Sequence, residues 1–366
     1  MRVRSLTGNL QATIVQRSTL TFEAPAAPPS KVSMSMSNSP VPDRALEKTS
    51  AGASRSLWKW GAGAAGAAAV GAAAFNAVRA RRAEESNPPV GSFVEVDGVR
   101  LHYLERGSGP LIVLLHGNAT MIQDWLASGV FDALAKTNRV IAFDRPGFGH
   151  SERPRSTVWT PAAQARLIAK ALAALGCGEA TIVGHSFGTM VAAEIGLNHP
   201  EVVGSLVLLG GYYYPSARLD AVLGSPPAIP GIGDAIRYTV SPLIGAAMRP
   251  TLEGQIFGPA PVSDGWEKDF PFEMTLRPSQ IRAAAAEAAL IVPAAASLAP
   301  RLTGLTLPVT LIAGDGDKVV STQDQSERLA ESLAQAELLI VEGAGHMVHH
   351  TASAAVAAAI RAASER

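Results

Sequence analysis

The chain has 366 residues, and its 31 Lys and Arg side chains balance 31 Asp and Glu side chains to a formal net charge of zero. Hydrophobic residues make up 47% and charged residues 17%, which excludes a chain that is disordered throughout, because such chains are poor in apolar residues. The balanced charge leaves no basic excess to neutralise phosphates, so we expect no nucleic-acid partner. The single Cys177 excludes an intrachain disulfide framework and a multi-cysteine zinc site.

The amino-terminal segment, residues 1–56, is rich in Ser, Thr, Pro and Ala and shows no hydrophobic period. A segment of this composition cannot bury enough apolar area to offset the entropy that it would lose on ordering. We therefore predict a disordered tail over these residues.

An uncharged run follows the tail. Residues 61–78 contain ten Ala, four Gly and no charged side chain, a length that can cross a bilayer, and Trp58 and Trp60 would suit its interface. We predict a membrane anchor over residues 57–82, with membrane association through residues 57–78. A cleaved signal peptide and a flexible linker are the alternatives, since Ala and Gly contribute little transfer energy. An anchor implies a bacterial inner membrane, with the cytoplasmic side only weakly favoured by the flanking basic residues, and a signal peptide implies an exported protein.

Alternating strand and helix patterns fill the single domain that we predict over residues 90–366. The strands are expected at 93–96, 99–106, 111–115, 140–143, 180–183, 202–209, 309–313 and 338–341. The helices are expected at 161–175, 186–197, 323–333 and 353–363. This alternation predicts an α/β fold in which a mostly parallel sheet is covered by helices on both faces. Residues 212–307 interrupt it and are too long for a loop in a compact domain, so we predict a helical cap insertion there.

A Gly-x-Ser-x-Gly pattern, from Gly184 to Gly188, lies between a predicted strand and a predicted helix. In that position it is typical of a nucleophile elbow, a sharp turn that exposes the serine hydroxyl above the sheet. The glycines remove side chains where the strand and the helix approach each other. We therefore predict Ser186 as the catalytic nucleophile, with a helix-capping serine as the structural alternative.

A serine nucleophile needs a base and an acid that orients the base. His346 lies in a Gly-rich loop after the last predicted strand and is the predicted base. An earlier strand ends in two carboxylates, Asp315 and Asp317, of which we favour Asp317 because Asp315 suits a turn. His349 and His350 have no carboxylate or Cys at ligand spacing, so we predict no metal site.

Acyl transfer also needs two N–H groups that face the developing negative oxygen. We predict the backbone N–H groups of Phe187, which follows the nucleophile, and of Asn118, in the loop after the strand at 111–115. The substrate pocket is expected to include residues near these motifs and at the start of the cap. They are His116, Gly117, Trp125, His185 and Tyr212.

These motifs, together with Asp-Arg-Pro-Gly-Phe-Gly-His-Ser at 144–151, occur in an order that resembles the α/β-hydrolase superfamily over residues 90–366. Within the superfamily, the chain resembles the broad alpha/beta hydrolase fold-1 group, some members of which carry an amino-terminal anchor. The resemblance implies the α/β-hydrolase fold, a triad of Ser186, Asp317 and His346, and the usual helical cap. Residues 116–125 also resemble haloalkane dehalogenases, but those enzymes need an Asp nucleophile.

The expected function is therefore a carboxylesterase-like serine hydrolase that cleaves a small neutral or apolar ester through an acyl-enzyme. The same triad would serve the hydrolysis of amides, thioesters or C–C bonds, or a haloperoxidase-like reaction. A non-catalytic ligand-binding or receptor protein on this fold is the alternative of another class. We expect no cofactor.

Overall fold

The structure is a computed structural model that describes residues 3–5 and 51–366. The chain divides into two compact units, residues 7–67 and a larger unit of residues 1–6 and 68–366. Of the tail predicted over residues 1–56, the described parts are the strand β1, Val3–Ser5, and the beginning of the helix α1, Ala51–Ser86. The rest of that prediction lies outside the described residues.

A nine-stranded sheet organises the larger unit. After β1 its strands are β2 (Ser92–Val96), β3 (Val99–Arg106), β4 (Leu111–Leu115), β5 (Arg139–Phe143), β6 (Ala180–His185), β7 (Val203–Leu209), β8 (Val309–Gly314) and β9 (Ala336–Val341). Their order across the sheet is β1-β9-β8-β7-β6-β4-β5-β3-β2. The six central strands, β9-β8-β7-β6-β4-β5 in sheet order, pair in parallel. The pairs β1–β9, β5–β3 and β3–β2 at the two edges are antiparallel. The predicted mostly parallel sheet is confirmed.

The strand β4 shows why helices cover both faces of this sheet. Its side chains alternate, so that Val113 and Leu115 join one apolar core cluster while Ile112 and Leu114 join another. The helices that contact the sheet are α2 (Ile122–Ala127), α3 (Val130–Leu134), α4 (Pro161–Ala174), α5 (Phe187–Asn198), α12 (Arg328–Ser332), α13 (Val348–Thr351) and α14 (Ser353–Ser364). A strand that is apolar on both sides needs such a cover on each face.

The stretch between β7 and β8 forms six further helices. They are α6 (Leu219–Gly224), α7 (Ile232–Thr239), α8 (Ser241–Phe257), α9 (Asp264–Asp269), α10 (Phe272–Thr275) and α11 (Pro278–Leu298). Among the described residues, Pro278–Gly304 is the one helical stretch long and apolar enough to span a bilayer. It contains α11, which contacts α5, α6 and α7, so this helix belongs to the helical insertion between β7 and β8, which we call the cap.

The carboxyl-terminal part of α1 packs against the same cap. The buried Asn76 donates from Nδ2 to the backbone oxygens of Tyr238 at 3.0 Å and Thr239 at 2.7 Å. Ala83 is buried in an apolar cluster with Trp266. Asn76, inside the predicted anchor, and Ala83, just beyond it, therefore contact other parts of the protein.

Candidate active site

Ser186 occupies the turn between β6 and α5. Its backbone has φ 51° and ψ −119°, a left-handed conformation that costs a non-glycine residue of the order of 1–3 kcal/mol and persists only where the surroundings enforce it. The surroundings are tight. A Cβ on Gly184 would lie 2.5 Å from the oxygen of Gly188, and one on Gly188 would lie 2.5 Å from the oxygen of Leu115. Both glycines are therefore required by the close approach of α5 to β6 and β4.

His346 and Asp317 meet at the carboxyl end of β8. His346 Nδ1 donates to Asp317 Oδ2 at 2.8 Å, and the other oxygen, Oδ1, accepts from the N–H groups of Val319 at 2.8 Å and Val320 at 2.9 Å. Asp315 instead accepts from the backbone N–H of Gly343 at 2.7 Å. In the neutral imidazole, with Nδ1 as the donor to Asp317, the Nε2 atom of His346 is an acceptor.

The loop that carries His346 also touches the elbow. His185, which precedes Ser186, donates from Nε2 to the backbone oxygen of His346 at 3.2 Å, and the two rings lie 5.0 Å apart. A Cβ on Gly210, at the end of β7, would lie 3.3 Å from His346 Nδ1. The ends of β6, β7 and β8 thus bring the predicted nucleophile, base and acid to one edge of the sheet.

The loop after β4 lies against the elbow from the other side. A Cβ on Gly117 would lie 3.1 Å from the Cβ of Ser186. The next residue, Asn118, donates from Nδ2 to the backbone oxygen of Ala284 in α11 at 3.2 Å. Phe187 is the first residue of α5, so its N–H lacks an acceptor within the helix. Phe187 thus follows Ser186 directly in the chain, and Asn118 follows Gly117, which lies against Ser186; their role as oxyanion donors stays a prediction.

His116 holds this loop as a neutral imidazole. Its Nδ1 donates to the oxygen of Gly117 at 2.7 Å, and its Nε2 accepts from the N–H of Arg145 at 2.9 Å. Burial, and then the charge of Arg145, lower the pKa of His116 from 6.5 to about 3. His116, predicted as a pocket residue, is thus fully buried and makes two bonds to the backbone.

The buried Arg145 fixes the backbone of the loop after β4, a role that the sequence analysis did not predict. Its guanidinium donates to the backbone oxygens of His116 at 2.7 Å and Gly117 at 2.8 Å. It also forms a bidentate pair with Glu287 of α11, at 2.5 Å and 3.0 Å. This pair connects the cap directly to the loop that carries Asn118.

Two other predicted pocket residues are buried among apolar side chains. Trp125 is in the core cluster that contains Ile122 and Val130. Tyr212 is 2% exposed, and its hydroxyl accepts from the N–H of Ser216 at 2.7 Å. Both side chains therefore pack in the core of the protein, and their place in a substrate pocket stays a prediction.

A buried Asp–His cluster lies directly behind the elbow. Asp124 Oδ1 accepts from Nε2 of His349 at 2.9 Å and of His350 at 2.8 Å, and its Oδ2 lies 3.9 Å from Nδ1 of His185. Burial by itself raises the pKa of Asp124. His349 outweighs this effect through its charge and its hydrogen bond, and His350 acts in the same direction, so the pKa of Asp124 lies well below its usual range.

This cluster bears on the prediction that no metal site exists. Asp124, His185 and His349 offer ligand atoms that all lie within 4.8 Å of one another, and two imidazoles with a carboxylate form a donor set that suits zinc. The sequence argument relied on the lack of a carboxylate near His349, and the fold supplies one from more than two hundred residues away. Such a distance leaves no spacing signal in the sequence.

Comparison with known proteins is decisive at the level of the family. The sequence profile of the alpha/beta hydrolase fold matches residues 110–353. The chain belongs to the α/β hydrolase fold family. Among curated relatives, a 2-hydroxymuconate semialdehyde hydrolase from Pseudomonas sp. (strain CF600) is 35% identical over 150 residues, which cover 40% of this chain and 53% of that protein. The chain thus spans about half the length of this relative.

Solved structures of other proteins share the fold. A membrane phospholipase A described as a bacterial virulence factor is 26% identical, with a TM-score of 0.59 over 85% of this chain and 97% of that one. An enol-lactonase from Burkholderia xenovorans LB400 is 20% identical, with a TM-score of 0.62 over 75% of this chain and 100% of that one.

Proposed function

We propose that this α/β hydrolase fold protein is a serine hydrolase that cleaves an ester through an acyl-enzyme. The observation that carries the proposal is the strained Ser186 at the strand–helix turn, beside a loop in which His346 is bonded to a buried carboxylate at 2.8 Å. Strain of this kind persists where the surrounding structure enforces it and is concentrated at functional sites. The three side chains fill the roles of nucleophile, base and orienting acid.

In the proposed reaction, Ser186 Oγ forms a bond to the substrate carbonyl carbon while its proton passes to Nε2 of His346. Asp317 keeps the imidazole in the tautomer that can accept this proton and stabilises the imidazolium that forms. The N–H groups of Asn118 and Phe187 hold the oxyanion. The C–O bond of the ester then breaks, the leaving alcohol takes the proton from His346, and water releases the acid in the reverse sequence.

A second candidate is the cleavage of a C–C bond on the same residues. It is favoured by the curated relatives, since two proteins named 2-hydroxymuconate semialdehyde hydrolase are 35% and 33% identical to this chain over 150 residues. The two candidates differ in substrate and share the nucleophile, so they are separated by the compound that is hydrolysed.

We also propose that the protein is associated with a membrane. Support comes from the uncharged run at 61–78, from exposed Val70, Phe75 and Val78 on α1, and from the similarity to a membrane phospholipase A. Deletion of residues 1–67 together with Val70→Ser, Phe75→Ser and Val78→Ser removes the exposed apolar side chains of this region and leaves Asn76 and Ala83, which contact the cap. The shortened protein is therefore expected to keep its hydrolase activity and to leave the membrane fraction. Retention in that fraction would contradict the proposal.

A fluorophosphonate probe tests the proposed nucleophile. We expect covalent labelling of the wild type, loss of labelling in Ser186→Ala, and full labelling in Ser156→Ala, a control at an exposed serine. Folded wild-type protein that remains unlabelled would overturn the proposal. Hydrolysis of p-nitrophenyl esters by wild-type protein that has not been treated with the probe would then support the esterase, whereas turnover of 2-hydroxymuconate semialdehyde alone would support the second candidate.

A further inference from the structure

A cleft with a volume of about 300 Å³ opens on the larger unit, away from Ser186 and His346. It is bounded by the segment 153–159, by α7 and the turn before it, and by α11. Its volume is at the lower end of the range of about 300–1,000 Å³ that ligand sites have. No step of the proposed reaction uses this cleft.

Four guanidinium groups line the cleft. They belong to Arg153, Arg155, Arg237 and Arg282. Three of these residues come from separate parts of the fold, since Arg153 follows β5, Arg237 lies on α7 and Arg282 lies on α11. An arrangement that gathers like charges from distant segments is unfavourable unless anionic groups compensate it.

The carboxylates nearby are too few to do so. Asp234 pairs with both Arg155, at 2.9 Å, and Arg237. Glu287 lies 3.9 Å from Arg153, but it already forms the bidentate pair with Arg145. Arg282 makes no salt bridge with any residue that the structure describes; it donates to the backbone oxygen of Arg153 at 2.7 Å.

The burial and mutual repulsion of these guanidinium groups lower the pKa values of Arg153 and Arg282. Burial lowers the pKa of Arg153 to about 10, and the charges of Arg145 and Arg282 act in the same direction. Burial also lowers the pKa of Arg282, as do the neighbouring charges of Arg155 and Arg237. The cleft therefore has an excess of positive charge that a bound anion would offset.

Apart from Thr157, the rest of the lining is apolar, and its arrangement on α11 is informative. Arg282, Ala286, Ala289 and Leu290 all line the cleft. Their spacing of four, seven and eight residues places them on one face of the helix. One end of this face is charged and the other is apolar. Val158, on the facing segment, is 70% exposed and adds to the apolar end.

We propose that this cleft binds an amphiphilic anion, a molecule with one carboxylate or phosphate group and an apolar chain. The anionic group would pair with Arg282 and its neighbours, since guanidinium groups bind carboxylate and phosphate through two parallel hydrogen bonds. The chain would lie along Ala286, Ala289 and Leu290. Such a ligand has two sources: a free carboxylic acid of the kind that ester hydrolysis releases, or a lipid with a phosphate group.

Titration calorimetry on the full-length Ser186→Ala protein tests this site without turnover. The ligands are decanoate, decyl phosphate and decanol, which share one chain and differ in the head group. We expect both anions to bind and decanol to bind much more weakly. Tighter binding of decanoate would assign the cleft to a free carboxylic acid, and tighter binding of decyl phosphate would assign it to a phosphate lipid.

Substitutions in the same background locate the binding. Arg282→Gln should weaken binding of both anions by about tenfold or more, because it removes a charge-assisted hydrogen bond. Ala289→Glu, at an exposed position, should also weaken it by placing a carboxylate at the chain. Arg166→Gln, an exposed arginine of α4 outside the cleft, is the matched control and should bind like its parent. Equal affinity for decanol, no binding of either anion, or wild-type affinity in folded Arg282→Gln would each overturn the proposal.

Discussion

Glu287→Gln is the sharpest test of how the cap supports the site. The side chains of Arg145 and Glu287 are both fully buried, and two hydrogen bonds of 2.5 Å and 3.0 Å join them. Gln164 Nε2 donates at 2.8 Å to Glu287 Oε1, the oxygen that also accepts the 2.5 Å bond from Arg145. The substitution keeps the volume and one acceptor oxygen but removes the charge that the guanidinium needs.

The expected loss of stability follows from burial. Removing one partner of a buried ion pair typically costs about 3–5 kcal/mol, because the other charge is left uncompensated. The matched control is Glu273→Gln, which breaks the pair with Arg79 at 2.6 Å, where the two side chains are 54% and 27% exposed. An exposed pair contributes only about 0–1 kcal/mol. Urea unfolding of the two variants measures both losses, with the slope expected to stay constant.

A double substitution separates stability from activity. Arg145→Met with Glu287→Leu replaces the pair by apolar side chains of similar size, which is often neutral or stabilising. It also removes the guanidinium donors to the backbone oxygens of His116 and Gly117. We therefore expect a stable protein with a reduced kcat. A loss in Glu287→Gln that is no larger than the loss in Glu273→Gln would refute the reasoning.

Three further predictions concern the other buried groups of the site. Asp317→Asn should lower kcat for a p-nitrophenyl ester by about 10²–10⁴-fold, because the base loses its orienting carboxylate, whereas Asp315→Asn should stay close to wild type; equal losses would contradict the proposed role of Asp317. Asp124→Asn removes the charge that two imidazoles share and should cost about 1–3 kcal/mol in urea unfolding, and an unchanged midpoint would argue against it. His116 has a pKa of about 3 in the folded protein against 6.5 ordinarily, so the unfolded state binds the extra proton as the pH falls through 6.5. The contribution of His116 is therefore complete above about pH 6.5 and declines by about 1.4 kcal/mol per pH unit towards about pH 3. Unfolding free energies measured on both sides of about pH 6.5 should differ less in His116→Gln than in wild type; an identical difference would show that His116 is not the group that titrates.

The parts of the fold that the sequence predicted are those with short-range signals. Continuous apolar runs such as β4 are distinct in the sequence because a strand buried on both faces needs apolar residues at every position. The Gly-x-Ser-x-Gly pattern around Ser186 is equally easy to recognise in the sequence, because one local turn fixes the spacing of its glycines. The first two sheet-packed helices, α2 and α3, were not predicted, because six and five residues are too few to show a helical period.

The parts that the sequence did not predict depend on distant pairs. Asp124 and His349 are 225 positions apart, and Arg145 and Glu287 are 142 apart. Each of these residues alone has the pattern of an ordinary polar residue on a helix or in a loop. Only the fold shows that each is buried and that a hydrogen-bonding partner is buried beside it, which is what makes a buried charge tolerable.

The contacts of α11 connect the cap to the edge of the sheet at which the proposed catalytic residues lie. Ala284 accepts from Asn118, and Glu287 pairs with Arg145, so two positions one turn apart on the same helix connect to the loops after β4 and β5. The backbone of Asn118 is proposed to hold the oxyanion, and losing one such donor costs about 10²–10³ in rate. A displacement of α11 should therefore change the position of that donor as well as the shape of the cap. Substitutions in this helix are expected to act on kcat, where a cap that only shaped the entrance would act on KM.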